Sequence, residues 1–435
     1  MTSALHPPDA VLDIARRLEG AGYEAWCVGG AVRDAILGHP NLDWDIATSA
    51  TPQQVRELFG RRRTIPVGVE FGTVGVLDEQ GTLHEVTTFR KDIRTDGRHA
   101  EVEFGASLEE DLARRDFTIN AIAYSPARDE IRDPFHGRED IARRIVRAVG
   151  EPDARMREDR LRALRAIRFA ARFDFTIDSE TLAAIERSAP HLGRLSAERV
   201  KQEIEKTMDQ VRQPASAFRL WQRTGVLGAL VPPLAHLSEH AFAALDYTAL
   251  PGPSHRPYRR AARIAVLFSE LDVDDARSVL AALRFSRVEV NRIGNLVDAW
   301  STAGRAMQEA LSARESPSDA LVRRWMATIG RLDIPPFMRL ASAHWAARRA
   351  ARTDAPSERA VRAVYRRMLR AAFRDALELK DLAVNGDDLI ASGIPPGPHL
   401  GKILNALLDA VLEHQSLNRP DWLLQEAKRL YEQLK

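Results

Sequence analysis

The sequence predicts a mixed α/β head followed by an all-helical remainder. Before residue 135, short apolar runs bounded by glycine alternate with helical patterns, as expected for a mixed sheet with helices packed on it. From Asp153 onward, apolar residues recur at helical spacing to the end of the chain. The predicted domains are a head over 1–147, a helical neck over 148–210, a helical body over 211–340 and a helical tail over 341–435.

Composition narrows the classes of protein to consider. The chain has 435 residues, of which 45% are apolar, so several domains with buried cores are expected. Its 63 Lys and Arg residues nearly balance 61 Asp and Glu residues, so any basic surface for nucleic acid must be local. The single cysteine, Cys27, excludes an intramolecular disulfide and a cysteine-rich zinc site. Because no signal peptide or membrane-length apolar run is found, we expect a soluble, cytoplasmic protein without a membrane partner.

The first elements lead into a glycine turn that suits phosphate. A helix is predicted over Asp9–Leu18, and the apolar run Ala25–Val28 predicts a strand that ends at Gly29 and Gly30. Paired glycines let the backbone approach a phosphate, and the helix that follows offers free N–H groups at its start. Arg33, on the first turn of that helix, can add a bidentate phosphate contact. An ordinary turn is the alternative.

Two aspartates follow this helix. Asp43 and Asp45 lie in a second apolar run, and two carboxylates at i and i+2 on a strand point to the same face. They can share divalent cations, and Mg²⁺ prefers oxygen ligands and also holds substrate phosphates. We therefore predict Asp43 and Asp45 as catalytic metal ligands in a site for a metal-bound nucleoside triphosphate. A solvated strand edge remains the alternative.

The rest of the predicted sheet contributes a third carboxylate. Thr51 and Pro52 form a good start for a helix through Phe59. Strands are predicted over Thr73–Leu77 and Leu83–Phe89, joined by a turn that contains glycine. Glu85 lies in the second of these strands and is a candidate third catalytic carboxylate. A solvent-facing strand glutamate is an equally open interpretation.

A charged segment and a capping box come next. Arg90–Ala100 is polar, contains glycine and has no usable period, so it is predicted to be a mobile loop, either inert surface or a lid. Ser107 with Glu110 forms a capping box for a helix through Arg115. A last head strand is predicted over Glu130–Asp133.

The segment RRDFTINA starts at Arg114 and is the most specific stretch of the chain. Arg115, with Arg114 beside it, can pair with triphosphate oxygens. Asp116 or Asn120 can hydrogen-bond a ribose hydroxyl. The alternative is an arginine–aspartate pair that fixes the end of a helix.

An arginine-rich helix is predicted over Arg155–Arg172. On a helical wheel, four of its arginines cluster on one side next to an apolar stripe. Four clustered guanidiniums without matching acids would repel one another, so an anionic partner is expected. The four are Arg162, Arg165, Arg168 and Arg172.

Asp159 and Arg162 form a candidate base-reading pair. Their i, i+3 spacing would place an acceptor-only carboxylate beside a donor-only guanidinium. C and A each present an amine donor beside a ring-nitrogen acceptor, so such a pair could hydrogen-bond either base, whereas G and U would leave a polar group unpaired. The alternative is an intrahelical salt bridge.

A second arginine stripe lies in the predicted tail. Four arginines recur at helical spacing after Ser357 and share one face. We interpret this face as an RNA-backbone contact, with a solvated helix face as the alternative. The four are Arg359, Arg362, Arg366 and Arg370.

Together these motifs resemble a known family. The stretch GGAVRD followed by DWD, the octapeptide RRDFTINA and the E-D-x-x-R pattern at Glu158–Arg162 resemble class II tRNA nucleotidyltransferases and bacterial poly(A) polymerases. These belong to the DNA polymerase β superfamily. The resemblance is strongest over residues 23–175 and is traceable to the C-terminus.

The resemblance implies a polymerase β-like head and a specific chemistry. Two Mg²⁺ ions held by Asp43 and Asp45 would promote in-line attack of an RNA 3′-hydroxyl on the α-phosphate, with release of pyrophosphate. Asp159 and Arg162 would choose CTP and ATP without a nucleic-acid template, and Arg165 and Arg168 would support the nucleotide or the primer end. The implied partners are the tRNA 3′ end, CTP and ATP, with the tail binding tRNA, and no protein partner is indicated.

Three alternatives stay open. The enzyme could add only CC or only the terminal A, because enzymes that divide the task have nearly the same motifs. It could be a poly(A) polymerase, although the segment Arg63–Val76 looks like the CCA-type version. A non-catalytic RNA-binding protein is the alternative of another class, and the intact Asp43 and Asp45 argue against it.

Overall fold

A computed structural model describes the chain in two compact units. The first unit comprises the chain up to Glu203 together with Ala217–Pro232, and the second comprises Ile204–Ser216 together with the chain from Pro233 onward. All of the predicted catalytic and nucleotide-binding residues belong to the first unit. The described residues are 5–39, 43–95, 100–248, 257–313 and 315–434.

A mixed sheet forms the centre of the first unit. Within the described residues it has seven strands in the order β3-β4-β5-β2-β1-β8-β9. Neighbours are antiparallel except β2 and β5, which are parallel. Two further strand pairs are β6 with β7 and β10 with β11. The strands are β1 Ala25–Val28, β2 Asp45–Thr48, β3 Thr64–Gly68, β4 Thr73–Leu77, β5 Leu83–Thr88, β6 Arg90–Thr95, β7 Ala100–Phe104, β8 Ala123–Ser125, β9 Glu130–Arg132, β10 Ile145–Val146 and β11 Thr176–Ile177.

Helices alternate with the strands of the head and make up almost all of the regular structure that follows it in the described residues. The predicted α/β head followed by a helical remainder is confirmed. The helices up to residue 230 are α1 Asp9–Gly20, α2 Gly30–Ile36, α3 Pro52–Phe59, α4 Leu108–Ala113, α5 Gly137–Arg143, α6 Pro152–Glu158, α7 Leu161–Phe173, α8 Ser179–Ser188, α9 Ala197–Gln210, α10 Ala215–Arg223 and α11 Val226–Leu230. Those that follow are α12 Glu239–Asp246, α13 Pro257–Phe268, α14 Val273–Ala282, α15 Arg287–Ala299, α16 Arg305–Ser312, α17 Asp319–Ile329, α18 Ile334–Ala350, α19 Glu358–Ala371, α20 Gly386–Ala391, α21 His399–Glu413 and α22 Pro420–Leu434. None of the helices in the described ranges combines the length and apolar character needed to cross a bilayer.

Local capping chemistry fixes two predicted helix starts. The Thr51 side chain accepts from the Gln54 amide, and the Ser107 side chain accepts from the Glu110 amide. In both cases the residue at the third helical position bonds back to the cap, which completes a capping box. The helices α3 and α4 therefore begin where the sequence predicted them.

The prediction of a loop at Arg90–Ala100 was wrong where the structure describes this segment; residues 96–99 of it lie outside the described residues. This segment contains β6 and the start of β7, an antiparallel pair in which Arg90 lies opposite Phe104 and Lys91 opposite Glu103. The Lys91 ammonium lies 2.9 Å from the Glu103 carboxylate. A two-stranded ribbon outside the main sheet can pair through such cross-strand charges, so it does not show the apolar alternation that marks a half-buried strand.

The prediction of one continuous arginine-rich helix was also wrong. Helix α6 ends at Glu158 and α7 begins at Leu161. Between them Asp159 is extended, with φ −144° and ψ 105°, and its carboxylate accepts from the Leu161 amide at 3.0 Å. An aspartate that caps the next helix start has left the helical conformation itself.

One hydrophobic cluster holds RRDFTINA against the sheet. Apolar side chains from β1, β2 and β8 pack on those of α4 and on Ala121 within that segment. The buried members are Trp26, Val28, Ala47, Phe89, Leu108, Leu112, Ala121, Ala123 and Val149.

Helix α5 fixes the same segment from the other side. The Asp133 carboxylate caps α5 by accepting from the amides of Gly137 and Arg138 at 2.7 Å and 2.9 Å. The Thr118 hydroxyl donates to the Asp140 carboxylate at 2.7 Å. A Cβ at Gly137 would lie 2.1 Å from the Thr118 carbonyl oxygen, so only glycine permits this approach.

We therefore expect Gly137→Ala to destabilise the protein by about 1–3 kcal/mol, because the added methyl group forces two backbone segments apart. Urea denaturation measures the change. Gly20→Ala is the matched control, since a Cβ at Gly20 meets nothing within 4 Å. Equal stabilities of the two variants would contradict the close approach at Gly137.

Candidate active site

Three carboxylates share one edge of the sheet. Asp45 begins β2, and Asp43 lies two residues earlier, just before the strand, with the buried Trp44 between them. Strands β2 and β5 pair in parallel from Ile46 opposite Val86, so Asp45 and Glu85 are neighbours on the same face. All three carboxylates are exposed. The structure thus places the predicted catalytic residues together, although Asp43 precedes the strand.

These carboxylates influence one another electrostatically. The protein around Asp45 removes part of its hydration, and the negative charges of Asp43 and Glu85 add to this effect. Together they raise the pKa of Asp45 to about 6, although the positive charge of Arg115 acts in the opposite direction. A proton or a cation at this edge would relieve the repulsion.

The donor chemistry of the edge fits Mg²⁺, which takes carboxylate oxygens as ligands. Within the described ranges, no three His, Cys, Asp or Glu side chains converge closely enough to hold a metal ion. Repulsion between uncompensated carboxylates favours such a spread arrangement. Fit to Mg²⁺ therefore rests on the oxygen donors, their shared face and their mutual repulsion.

The glycine turn places an arginine beside these carboxylates. Asp45 lies opposite Val28 in β1, so the turn at Gly29 directly follows the strand position next to it. Gly29 has φ +74°, and a Cβ there would lie 2.9 Å from the Arg115 Nη1 atom. Gly30 opens α2. The Arg115 guanidinium lies close to Gly29 and close enough to act on Asp45, so it is well placed for a phosphate.

The buried Asp111 orients both arginines of RRDFTINA. Its carboxylate accepts from Arg114 at 2.8 Å and from Arg115 at 3.1 Å. Burial opposes ionisation of Asp111, but the two guanidiniums outweigh it and hold its pKa below the usual range. Sequence reasoning missed Asp111, and the available signal was its i, i+3 and i, i+4 spacing to the two arginines.

Arg33 lies inside the protein. Its guanidinium donates to the Asn120 side-chain oxygen and to Asp34, the latter at 2.8 Å. It also lies over the rings of Phe169 and Phe173, with its Cζ atom 5.1 Å and 4.6 Å from the two centroids. The predicted phosphate contact of Arg33 would require it to leave these partners.

Asp116 and Asn120, the predicted ribose readers, are bonded to each other. Asn120 donates to Asp116 at 2.9 Å, and Arg165 of α7 lies 2.7 Å from the other Asp116 oxygen. Burial opposes ionisation of Asp116, but the Arg165 charge and the Asn120 hydrogen bond hold its pKa below the usual range. Asp116 therefore pairs with an arginine of α7, outside the segment RRDFTINA, whereas the arginines of that segment pair with Asp111 at the end of α4.

The expectation that the four arginines of α7 lack matching acids was wrong. Each guanidinium has a carboxylate partner, and three of these acids come from other parts of the first unit. Sequence distance hides such partners. The pairs are Arg162–Glu158 at 2.7 Å, Arg165–Asp116 at 2.7 Å, Arg168–Glu203 at 2.7 Å and Arg172–Asp34 at 3.4 Å.

Asp159 and Arg162 do not form the intrahelical salt bridge of the alternative interpretation, and Asp159 lies before α7 rather than within it. Asp159 accepts from Arg199 at 2.7 Å, and Arg162 donates to Glu158 and, at 3.0 Å, to the Arg114 carbonyl oxygen. Arg199 and Glu203 were missed by sequence reasoning. Their i, i+4 spacing on α9 was the one available signal that they share a helix face.

In the second unit, the four arginines of the predicted RNA stripe lie on α19 and are exposed. The opposite side of the helix buries Val361, Val364 and Met368. Arg362 lies 2.7 Å from Glu358. The structure therefore places Arg359, Arg362, Arg366 and Arg370 on one exposed face, and their contact with RNA stays a prediction.

A mixed sheet that presents carboxylates beside a glycine turn and arginines defines a nucleotidyltransferase head, and the comparisons agree. Residues 25–147 match the family model described as the Poly A polymerase head domain. Residues 174–237 match the probable RNA and SrmB-binding site of polymerase A, and residues 358–427 match a tRNA nucleotidyltransferase domain 2.

Full-length relatives narrow this class. The CCA-adding enzyme of Geobacillus kaustophilus is 37% identical over 98% of this chain and 99% of its own. The CCA-adding enzyme of Limosilactobacillus reuteri is 33% identical over 96% of this chain and 95% of its own. The chain therefore belongs to the CCA-adding enzyme family of tRNA nucleotidyltransferases, which generally use divalent metal ions.

Solved structures share the architecture. The Bacillus stearothermophilus CCA-adding enzyme in complex with CTP is 34% identical, covers 100% of both chains and has a TM-score of 0.75. The Thermotoga maritima CCA-adding enzyme complexed with tRNA-CCA covers 97% of this chain and 95% of its own, with a TM-score of 0.65. At 22% identity this second likeness shows the fold alone.

The Arg168–Glu203 ion pair yields a stability prediction. Both side chains are buried, with 4% and 1% of their surface exposed. We expect Arg168→Met to cost about 3–5 kcal/mol, because the Glu203 carboxylate loses its guanidinium partner in a buried setting. Arg168→Met combined with Glu203→Leu should cost much less than the sum of the single changes.

Urea denaturation of the single and double variants measures this coupling. The matched control is Arg143→Met, which removes an exposed partner that also lies 2.7 Å from its glutamate, Glu139. That change should cost less than about 0.5 kcal/mol. Strict additivity at Arg168 and Glu203 would contradict the structural role and leave the predicted nucleotide or primer contact of Arg168 as the better account.

The raised pKa of Asp45 yields a pH prediction. A carboxyl that binds its proton more tightly when folded costs stability as pH rises from about 4 through about 6. We therefore expect Asp45→Asn to stabilise the metal-free protein at pH 8 by about 1 kcal/mol, a figure reduced for the solvent exposure of the side chain. At pH 4 the gain should vanish. Denaturation in a chelator at both pH values tests this, and an equal gain at both would count against the raised pKa.

Proposed function

We propose that the protein adds C and/or A residues from CTP and ATP to the 3′ end of tRNA without a nucleic-acid template. The observation that carries this proposal is the exposed edge with Asp43, Asp45 and Glu85 beside the Arg115 guanidinium, which lies close to Gly29. It occurs in a chain similar over nearly its whole length to CCA-adding enzymes, one of which has been solved with CTP. Addition of CC alone, or of the terminal A alone, remains within this proposal.

In this proposal Asp43 and Asp45 hold Mg²⁺, with Glu85 as the neighbouring carboxylate. When bound, two such ions would supply the positive charge that lowers the pKa of the RNA 3′-hydroxyl and neutralises the triphosphate. Arg115, held by Asp111 close to Gly29, binds triphosphate oxygens, and Arg114 adds positive charge. The exposed face of the sheet edge leaves room for the primer end.

Two residues that follow the phosphate-binding arginines in the segment RRDFTINA orient the nucleotide. Asp116 and Asn120 lie between the phosphate-binding arginines and α7, and they are the proposed contacts to the ribose. Because Arg165 holds Asp116 ionised, that carboxylate remains an acceptor for a hydroxyl group.

Base choice is assigned to Asp159 and Arg162. Asp159 uses one oxygen for the Leu161 amide and the other for Arg199, which leaves lone pairs to accept from the exocyclic amine of C or A. Arg162 donates to the adjacent ring nitrogen. Contacts with Arg199, Glu158 and the Arg114 carbonyl fix both side chains, so the pair reads a base from a preset position.

The test is nucleotide addition to three tRNA transcripts that end before CCA, after C and after CC, each with CTP, with ATP and with both. We expect added residues to stop at a CCA end. Arrest after CC would identify an enzyme that adds only CC, and activity only on the CC-ending transcript would identify one that adds only the terminal A. Asp43→Ala with Asp45→Ala is the control, and it should abolish incorporation while tRNA binding persists.

Two outcomes would reject the proposal. Long adenosine tails on unrelated RNA would favour a poly(A) polymerase, the enzyme for which the family matched by residues 25–147 is named. Binding of tRNA by the wild-type protein without any incorporation would favour a non-catalytic RNA-binding protein.

A further inference from the structure

An arginine-lined cavity of about 380 Å³ lies in the first unit, apart from the sheet edge. It is lined by the turn between α6 and α7 and by the segment that leads into α9. Helices α7 and α9 therefore begin at the cavity wall, where their first amides contribute positive potential. Its arginines are Arg157, Arg160, Arg194 and Arg199.

The carboxylates of this cavity are already engaged. Asp159 pairs with Arg199 at 2.7 Å, and Glu158 pairs with Arg155 and Arg162 at 2.6 Å and 2.7 Å, both of which lie outside the lining. Four lining guanidiniums against two lining carboxylates leave a surplus of two positive charges.

Arg160 carries the clearest sign of this surplus. Burial and the positive charges of Arg194 and Arg157 all lower the pKa of its guanidinium. Arg160 donates to the Ser188 hydroxyl at 3.1 Å, and Arg157 reaches the exposed Glu151 at 3.6 Å. The charges that act on Arg160 are thus positive, in contrast to the arginines of α7, each of which faces an acid.

The cavity is separate from the proposed triphosphate contacts. Neither Gly29, Arg114 nor Arg115 lines it, whereas Asp159, the proposed base reader, does. A nucleotide that presents its triphosphate to Arg115 and its base to Asp159 has no further phosphate to place here. A phosphate in this cavity would therefore belong to a molecule other than the incoming nucleotide.

We propose that this cavity binds a backbone phosphate of the RNA whose 3′ end is extended. The inference rests on the proposed function, because it takes its ligand from the RNA substrate. Arg157, Arg160 and Arg194 contact the phosphodiester, and Arg199 positions Asp159 beside it. A phosphate held next to the base reader fixes the RNA strand relative to the incoming nucleotide.

The experiment uses the full-length chain with Arg157→Gln, Arg160→Gln and Arg194→Gln combined. Binding of a tRNA transcript that ends before CCA is measured without nucleotide at several salt concentrations. We expect affinity to fall about tenfold or more at about 0.1 M salt, and the slope of log K against log salt to decrease by about 1. The KM for CTP should stay unchanged, which also reports a folded site.

Three matched variants sharpen the result. Lysines at the same positions keep the charge and should restore most of the affinity. The triple variant Arg132→Gln, Arg138→Gln and Arg143→Gln removes equal charge from exposed positions of the same unit and should bind tRNA nearly as the wild type does. Arg194→Gln alone gives the same readout on an exposed residue if the triple variant is poorly folded.

Wild-type affinity and salt slope in the folded triple variant would overturn the proposal. So would unchanged tRNA binding with altered inhibition by pyrophosphate, which would identify a free anion as the ligand. Failure of the wild-type protein to add nucleotides would reject the proposed function. Nucleotide addition is measured separately from tRNA binding, so the two failures can be told apart.

Discussion

The candidate site depends on a chain of polar contacts between the sheet, the RRDFTINA segment and α7. Arg165 holds Asp116, Asp116 accepts from Asn120, and Asn120 accepts from Arg33. Arg33 in turn bonds Asp34, which Arg172 also reaches. Donors and acceptors alternate throughout, so each buried group is satisfied by the next. Removing one member would cost the hydrogen bonds that it makes with its neighbours in this chain of contacts.

This chain of contacts gives the arginines of α7 a different role from the one that their clustering predicted. They stabilise the fold by pairing with acids from α2, α9 and RRDFTINA, and the rings of Phe169 and Phe173 lie against the guanidiniums of Arg33 and Arg172. Asp116, a proposed ribose contact, is thereby joined to α7, the helix that follows the proposed base reader Asp159. Ribose position and base position are set by one connected structure, which suits selection of a nucleotide without a template.

The sequence predicted the parts of the fold whose signals are local. The strand Ala25–Val28 follows from a short apolar run, and the helix through Phe59 follows from its capping residues. Asp43 and Asp45 were predicted from their i, i+2 spacing, and Glu85 from its place in a predicted strand. The sequence could not predict Arg199 as the partner of Asp159, because tertiary packing creates that contact. Asp111 was missed although its spacing to Arg114 and Arg115 is local. The pairing of β6 with β7 was missed because the sequence of this segment lacks apolar alternation; Lys91 of β6 forms a cross-strand ion pair with Glu103 of β7.

The same pairing argument explains where a nearly neutral chain can meet RNA. With 63 basic and 61 acidic residues, attraction for phosphate must come from guanidiniums whose charge is not already matched nearby. In α7 each of the four arginines is matched within the fold. Around Arg160 the nearby charges are positive, and on α19 the arginines share an exposed face with Glu358 as an acid partner of Arg362. Counting arginines along the chain therefore points to α7, whereas counting charges left unmatched after folding points to the cavity beside Asp159 and to α19.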